Sequence, residues 1–309
     1  MLKKPAITRR HMLAGAAALP LAATVARPAF AKAEMMGVAT TRFNRMKLGG
    51  FEVTTLLAGT RTVDGPHAIF GQNVSQSEFD TASSAANIPS DKAQFFFTPT
   101  VVNTGNELVL FDTGLNPDGI TSALAAAGYS PDQIDVVVIT HMHGDHIGGV
   151  ADEAGVTFAN ARHVTGTTEF NAWDASGANK AFESKVRPNA DRFDMIAPGA
   201  SVASGITAIA AFGHTPGHMA YMLESDGKQL VIAADFANHY VWSLAYPDWQ
   251  VKFDMDKAAA AATRRMMLDM MTADNLPFVG YHMPWPGVGY VESRDGGYRY
   301  MPATYQLML

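Results

Sequence analysis

The chain has 309 residues, 48% of them hydrophobic and 17% charged, with no cysteine and a formal net charge of −6 at pH 7. That apolar share over that length builds a sizeable core and excludes a disordered chain. The lack of cysteine excludes a disulfide framework, a thiolate metal site and a cysteine nucleophile, so any metal must be held by imidazole, carboxylate or water.

Residues 1–31 read as an export signal. Lys3, Lys4, Arg9 and Arg10 precede an alanine-rich stretch from Met12 to Val25 that closes near Ala29-Phe30-Ala31, the order of a cleavable leader. Arg9-Arg10 points to the twin-arginine route and a periplasmic or secreted mature protein. The apolar part is short and broken by Pro20, so no stable membrane anchor is expected. Cleavage after Ala31 would remove five bases and no acids, taking the formal charge to −11. With no lysine or arginine run to build a basic groove, that surface argues against nucleic acid as a partner.

Residues 32–309 read as one domain, beginning with a polar lead-in over 32–50. Apolar runs bounded by turn signals predict strands at Phe51–Leu57, Phe95–Val102, Leu108–Phe111, Asp135–Thr140, Ile206–Phe212 and Leu230–Ala233. Gly71–Lys92 is polar, rich in serine and alanine and without clear period, and reads as a long loop. Helices are predicted at Thr121–Ala127, Thr165–Asp174 and Asp256–Met271, the last with methionines as core filler. This alternation points to an α/β domain of mixed sheets covered by helices.

The chemistry starts where the apolar strand Val136–Ile139 runs into Thr140-His141-Met142-His143-Gly144-Asp145-His146-Ile147-Gly148-Gly149. Four potential ligands within six residues cannot all face one ion. His141 and His143 alternate as i and i+2, whereas Asp145 and His146 lie past the bend and can reach a second ion. A dinuclear site needs about seven protein donors, so others must come from later strand ends. His214 follows the run ending at Phe212, Asp235 follows Leu230–Ala234, and His282 follows Phe278–Tyr281.

Taken together, HxHxDH, GHTPGH, the strand-terminal aspartate and the last histidine resemble the metallo-β-lactamase superfamily over about residues 50–300, with LVLFDTG at Leu108–Gly114 in support. The resemblance implies an αββα sandwich, two mixed β-sheets flanked by helices, with metals at one edge. It implies two divalent ions, Zn2+ foremost with manganese, iron or cobalt as alternatives. His141, His143 and His214 would bind one, Asp145, His146 and His282 the other, and Asp235 would bridge both. A hydroxide between the ions would be the nucleophile, with Asp145 and Asp235 the carboxylates beside it. Within the superfamily the motifs look most like methyl parathion hydrolase and its lactonase and arylesterase relatives, which are often dimers; this leaves a homodimer open.

The resemblance also narrows the activity. Antibiotic-hydrolysing lactamases generally lack the aspartate at 235 and some use cysteine, and di-iron oxygen-handling relatives usually carry glutamate where His143 stands. A catalytically silent metal-binding protein is the alternative from another class, against which the full set of seven donors argues. Trp173 and Phe182 are candidates for the pocket mouth, while Phe95-Phe96-Phe97 reads as core packing. His218 is expected to bond within its turn or to support His214, and Asp112 to act as a structural acceptor nearby. An aromatic pocket without a basic clamp would take a small neutral hydrophobic lactone, aryl ester or organophosphate triester.

Overall fold

The computed structural model describes residues 35–37, 39–177 and 179–303; the expected export signal lies outside the described residues. All strands and helices fall within one unit, Thr41–Leu309. In chain order they are β1 (Phe43–Leu48), β2 (Phe51–Leu56), β3 (Gly59–Asp64), α1 (Gln76–Ala85), β4 (Lys92–Phe97), β5 (Thr100–Asn103), β6 (Leu108–Phe111), α2 (Pro117–Ala126), β7 (Val136–Ile139) and the single turn α3 (Gly144–Ile147). There follow β8 (Ala151–Asp152), β9 (Gly155–Val156), β10 (Arg162–Gly166), α4 (Thr167–Ser176), β11 (Phe193–Ile196), β12 (Ser201–Ala203), β13 (Ile206–Ala210), β14 (Met219–Ser225), β15 (Lys228–Ala234), α5 (Lys257–Ala273), β16 (Phe278–Gly280), β17 (Val288–Arg294) and β18 (Gly297–Pro302). No helix among the described residues is long and apolar enough to cross a membrane.

Two seven-stranded sheets carry the fold, in the orders β1-β2-β5-β6-β7-β10-β11 and β12-β13-β14-β15-β16-β17-β18. Side chains alternate across a strand, so each strand serves two cores. Val136 and Val138 of β7 join Val109, Val164, Tyr221, Leu230 and Ile232 between the sheets. Val137 and Ile139 turn the other way, onto Ile120, Ala123 and Leu124 of α2. On the far side, Met267, Leu268 and Met271 of α5 cover Val231, Ala233 and Phe278. Helix, sheet, sheet, helix is the αββα layering expected. β7 runs parallel to both β6 and β10, and a strand covered on both faces is apolar throughout.

Four local expectations need correction. The lead-in contains β1, whose FNRMKL alternation sends Met46 and Leu48 into the core. Gly71–Lys92 contains α1, capped by Ser75 accepting from the Glu78 N–H and anchored by buried Phe79 and Ala82. Its polar exposed face hides the period. The apolar run Phe95–Val102 is two strands, because Thr98-Pro99 interrupts it and a proline has no N–H for a ladder. β4 therefore leaves the large sheet and pairs only with β3. The helix read at Thr165–Asp174 starts at Thr167, residues 162–166 forming β10 between β7 and β11.

Candidate metal centre

The seven histidines and aspartates singled out from the sequence converge on one edge of the sandwich. Each follows the end of a strand: β7 leads into His141, His143, Asp145 and His146; β13 into His214; β15 into Asp235; β16 into His282. Gly148 and Gly149 let the first loop close against its neighbour. A Cβ at Gly149 would stand 2.2 Å from the Thr113 carbonyl oxygen, so only glycine fits. Before Asp235 the chain turns sharply at Ala234, whose φ of 47° is left-handed.

Hydrogen bonds to the outer ring nitrogens set where the lone pairs point. Thr140 donates its hydroxyl to Asp112 Oδ2 at 2.9 Å, so its oxygen accepts from His141 Nδ1 at 3.1 Å. His214 Nδ1 donates to Asp254 Oδ1 at 2.8 Å. The Nε2 lone pairs of both rings therefore face inward, 3.1 and 2.9 Å from His143 Nδ1. Three imidazole nitrogens meeting at such distances cannot each be given a proton, and a cation between them resolves the crowding.

The second group is built from the same logic with carboxylates. His146 Nδ1 donates to Asp112 Oδ2 at 2.8 Å, and His282 Nδ1 to the Phe96 carbonyl at 2.8 Å. Their Nε2 atoms face Asp145 Oδ2 at 3.7 and 3.3 Å. Asp235 Oδ2 sits between the groups, 3.9 and 3.5 Å from His141 and His214 and 3.4 and 3.3 Å from His146 and His282. Buried His146 Nε2 and Asp235 Oδ1 find no hydrogen-bond partner among the described residues. Orphaned acceptors of this kind mark a place for a cation. Donor atoms of His141, His143 and His214, of His141, His146 and Asp235, and of Asp145, His146 and His282 lie close enough in each trio to hold one ion.

Proton affinities divide the site. Burial, and then the neighbouring His214, pull His143 down to about 3. Burial also pulls on His282, yet Asp235 and Asp145 outweigh it and push that ring up to about 10. Burial works against the charge of Asp145 too, but His146 and His282 hold its carboxyl at about 2. One half of the site thus offers bare lone pairs, and the other a concentration of negative charge.

The sequence reading missed three supports. Arg264, fully buried in α5, donates to Asp254 Oδ2 at 2.8 Å and so carries the acid that carries His214. It shares a stripe with Met267, Leu268 and Met271, and a base on an apolar stripe is the signal that could have found it. Glu169 of α4 is buried without a basic partner and accepts four bonds: from the Met142 N–H (2.9 Å), the Trp173 indole (2.5 Å), the Thr215 hydroxyl (2.7 Å) and the Gly217 N–H (2.8 Å). It clamps the first ligand loop to the loop bearing His214. Tyr281 donates to the Asp145 carbonyl at 2.5 Å with its ring against His146. Asp112 fills the acceptor role expected of it. His218 does not brace His214: its Nδ1 donates to the Ala211 carbonyl and its Nε2 accepts from the Asp235 N–H at 3.0 Å.

A cavity of about 380 Å³ opens over the site. Its walls are Val63, Ile69, Phe95, Phe97, Leu115 and Phe253, its floor His143, Gly144, Asp145, Asp235 and His282, and Arg61 and Asn238 complete it. Trp173 and Phe182 do not line it. Trp173 stands behind His143 with its N–H on Glu169, and Phe182 is packed in the core against Phe170. Phe95 and Phe97, read as plain core, present their rings to His282 at 5.4 and 5.5 Å. The expectation of a pocket without a base is corrected by Arg61.

The sequence pattern of the metallo-beta-lactamase superfamily matches residues 98–282, and the chain belongs to that superfamily. Among proteins of known activity it is similar to an N-acyl homoserine lactonase of Bacillus cereus, 26% identical over 115 residues, 37% of this chain and 43% of that protein. The chain thus matches less than half the length of these curated relatives. Among solved structures it shares its fold with the dizinc quorum-quenching lactonase AidC (TM-score 0.78, 23% identity, 85% of this chain and 98% of that one). A second is AbOPH, a hydrolase of the beta-lactamase superfamily (TM-score 0.79, 24% identity, 87% and 100%).

Proposed function

We propose that the protein is a dinuclear metal-dependent hydrolase of lactones and related esters. The observation that carries this reading is Asp235 Oδ2, placed within 3.3–3.9 Å of imidazole nitrogens from both halves of the site. His141, His143 and His214 would hold one cation, Asp145, His146 and His282 the other, and Asp235 both. Bound there, two divalent cations, Zn2+ foremost, would supply Lewis acidity to a carbonyl or phosphoryl oxygen and acidify water towards neutral pH.

The chain's own residues do the rest. Asp112, Asp254, Thr140 and the Phe96 carbonyl occupy the outer ring nitrogens and keep the inner lone pairs aimed. Asp145, whose side chain is 24% exposed, reaches the cavity and can take a proton from an attacking water. Val63, Phe95, Phe97 and Phe253 exclude solvent and receive the apolar part of the substrate. Likeness to N-acyl homoserine lactonases favours lactones over aryl esters and phosphotriesters. Twin-arginine export of the folded, loaded protein to the periplasm belongs to the same reading.

The test is metal analysis together with a substrate panel on the mature protein. Two equivalents of metal and hydrolysis of an acyl homoserine lactone, with weaker action on aryl esters and phosphotriesters and none on a β-lactam, are expected. Two ions and full hydrolysis retained in Asp235→Ala, or no hydrolysis of any lactone or ester by the unaltered protein, overturns it. Sequencing of periplasmic material should start near Lys32.

A further inference from the structure

We propose that Arg61 is the specificity-determining residue of the cavity and that it receives a carboxylate carried by the substrate away from the scissile bond. This rests on the hydrolase reading and adds a substrate class to it: anionic esters or lactones with a flat apolar body.

The placement of Arg61 is set by strand register. In the β3–β4 ribbon Arg61 pairs with Phe95, and Gly59 with Phe97. Alternation puts Arg61 and Val63 on the face that lines the cavity, together with Phe95 and Phe97. Phe95 is the residue whose ring meets the edge of His282, so the guanidinium shares one chamber with the metal-type donors. Asp64 points to the opposite face and is paired with Lys92 at 2.9 Å. No described residue supplies Arg61 with an ion-pair or hydrogen-bond partner, whereas Arg187, Arg264 and Arg265 are all engaged by acids. The carboxylates in the cavity, Asp145 and Asp235, are turned to the imidazoles, and His282 is paired with both of them.

Chemistry then selects the ligand. A guanidinium presents a planar fork that matches a carboxylate with two parallel N–H donors. The neighbouring walls are Val63, Phe95 and Phe97, which suit an aromatic or aliphatic body and offer no competing polar group. The protein is acidic overall, with a formal charge of −6, and an anion meets general repulsion at its surface. One unpaired cation at the cavity wall is what admits a singly charged substrate and orients it, with its ester end towards the floor.

The experiment compares 4-acetoxybenzoate with 4-methylphenyl acetate, which differ in a carboxylate against a methyl group, on the metal-loaded protein and its Arg61→Met and Arg61→Lys variants. The ratio of kcat/KM for the anionic over the neutral ester should fall about tenfold in Arg61→Met, mainly through KM, and about half as far on a logarithmic scale in Arg61→Lys. An unchanged ratio overturns the proposal. Binding of 4-hydroxybenzoate, measured by calorimetry, separates the two readings. If neither these esters nor an acyl homoserine lactone is cleaved but this acid binds about tenfold more weakly to Arg61→Met, the hydrolase reading fails and the Arg61 assignment stands. If both proteins bind it equally, through the metal centre alone, the Arg61 assignment fails whatever the activity.

Discussion

His143 and His282 are imidazoles on the floor of one cavity, yet their surroundings drive them to opposite ends of the pH scale. His143 faces two other imidazoles, and burial, reinforced by His214 and only partly offset by Asp145 and Asp235, leaves the ring neutral down to about 3. His282 faces Asp145 and Asp235 at 3.3 Å, and those two charges hold a proton on the ring up to about 10 despite its burial. The same side chain is a ready-made lone pair in one half of the site and, without a cation, a proton store in the other. Asp235 touches both, which makes it the residue through which the halves communicate.

Removing that link should have the largest effect. Asp235→Ala is expected to cut bound metal from two equivalents to one and to abolish hydrolysis, about a thousandfold or more, as read by metal analysis and steady-state rates. The next test separates the halves by their supports. Asp254→Asn should weaken the three-imidazole half about 10–100-fold in metal affinity, and Asp112→Asn, which touches His146 directly and His141 only through Thr140, the carboxylate half by a similar factor and the other half less. Titration with a competing chelator should resolve one site weakened more than the other in each variant, and equal loss at both sites would break the division. Glu169→Gln turns an amide N–H2 towards donors, so it should destabilise the metal-free protein by about 1–3 kcal/mol in urea unfolding.

The smallest effect is the most diagnostic of the contrast. At pH 8 the metal-free His282 is still protonated, because its folded value of about 10 lies above its ordinary 6.5. Stability from that proton is complete below 6.5 and is lost as pH rises through 10. A cation entering the carboxylate half must expel it, together with the proton that Asp112, Asp235 and Asp145 hold on His146 despite its burial, so that half should release about two protons and bind more tightly as pH rises towards 10. In the three-imidazole half His143, held down to about 3, and His141, which burial and its neighbouring imidazoles also hold low, should release none. Calorimetry in buffers of different ionisation heat reads the difference.

What could be read in the chain followed sequence distance. The strand Val136–Ile139 is four apolar residues because it is covered on both faces, and its ligands follow within seven positions. The hairpins β14–β15 and β17–β18 were missed, though Asp226-Gly227 and Asp295-Gly296 signal them, each pair with positive φ at both residues. Helix α1 was hidden because little of its surface is apolar. The supports Glu169 and Asp254 escaped notice because each acts on groups 27 to 48 residues away. Trp173 was placed at the mouth by the resemblance to hydrolases whose pocket is lined from such a segment, whereas its N–H is consumed by Glu169 behind the site.

The amino-acid sequence alone determined the donor chemistry open to this protein: no thiolate, seven imidazoles and carboxylates of the kind that can hold a metal, and strand ends to carry them, since these depend on side-chain identity and on neighbours a few bonds away. The tertiary structure decided which lone pair faces which half, where the negative charge gathers, and that an arginine stands in the cavity wall. Those depend on through-space distance, because proton position on an imidazole follows its hydrogen-bond partner, and the partner, as with Asp112 and His146 at 34 positions apart, is supplied by the fold.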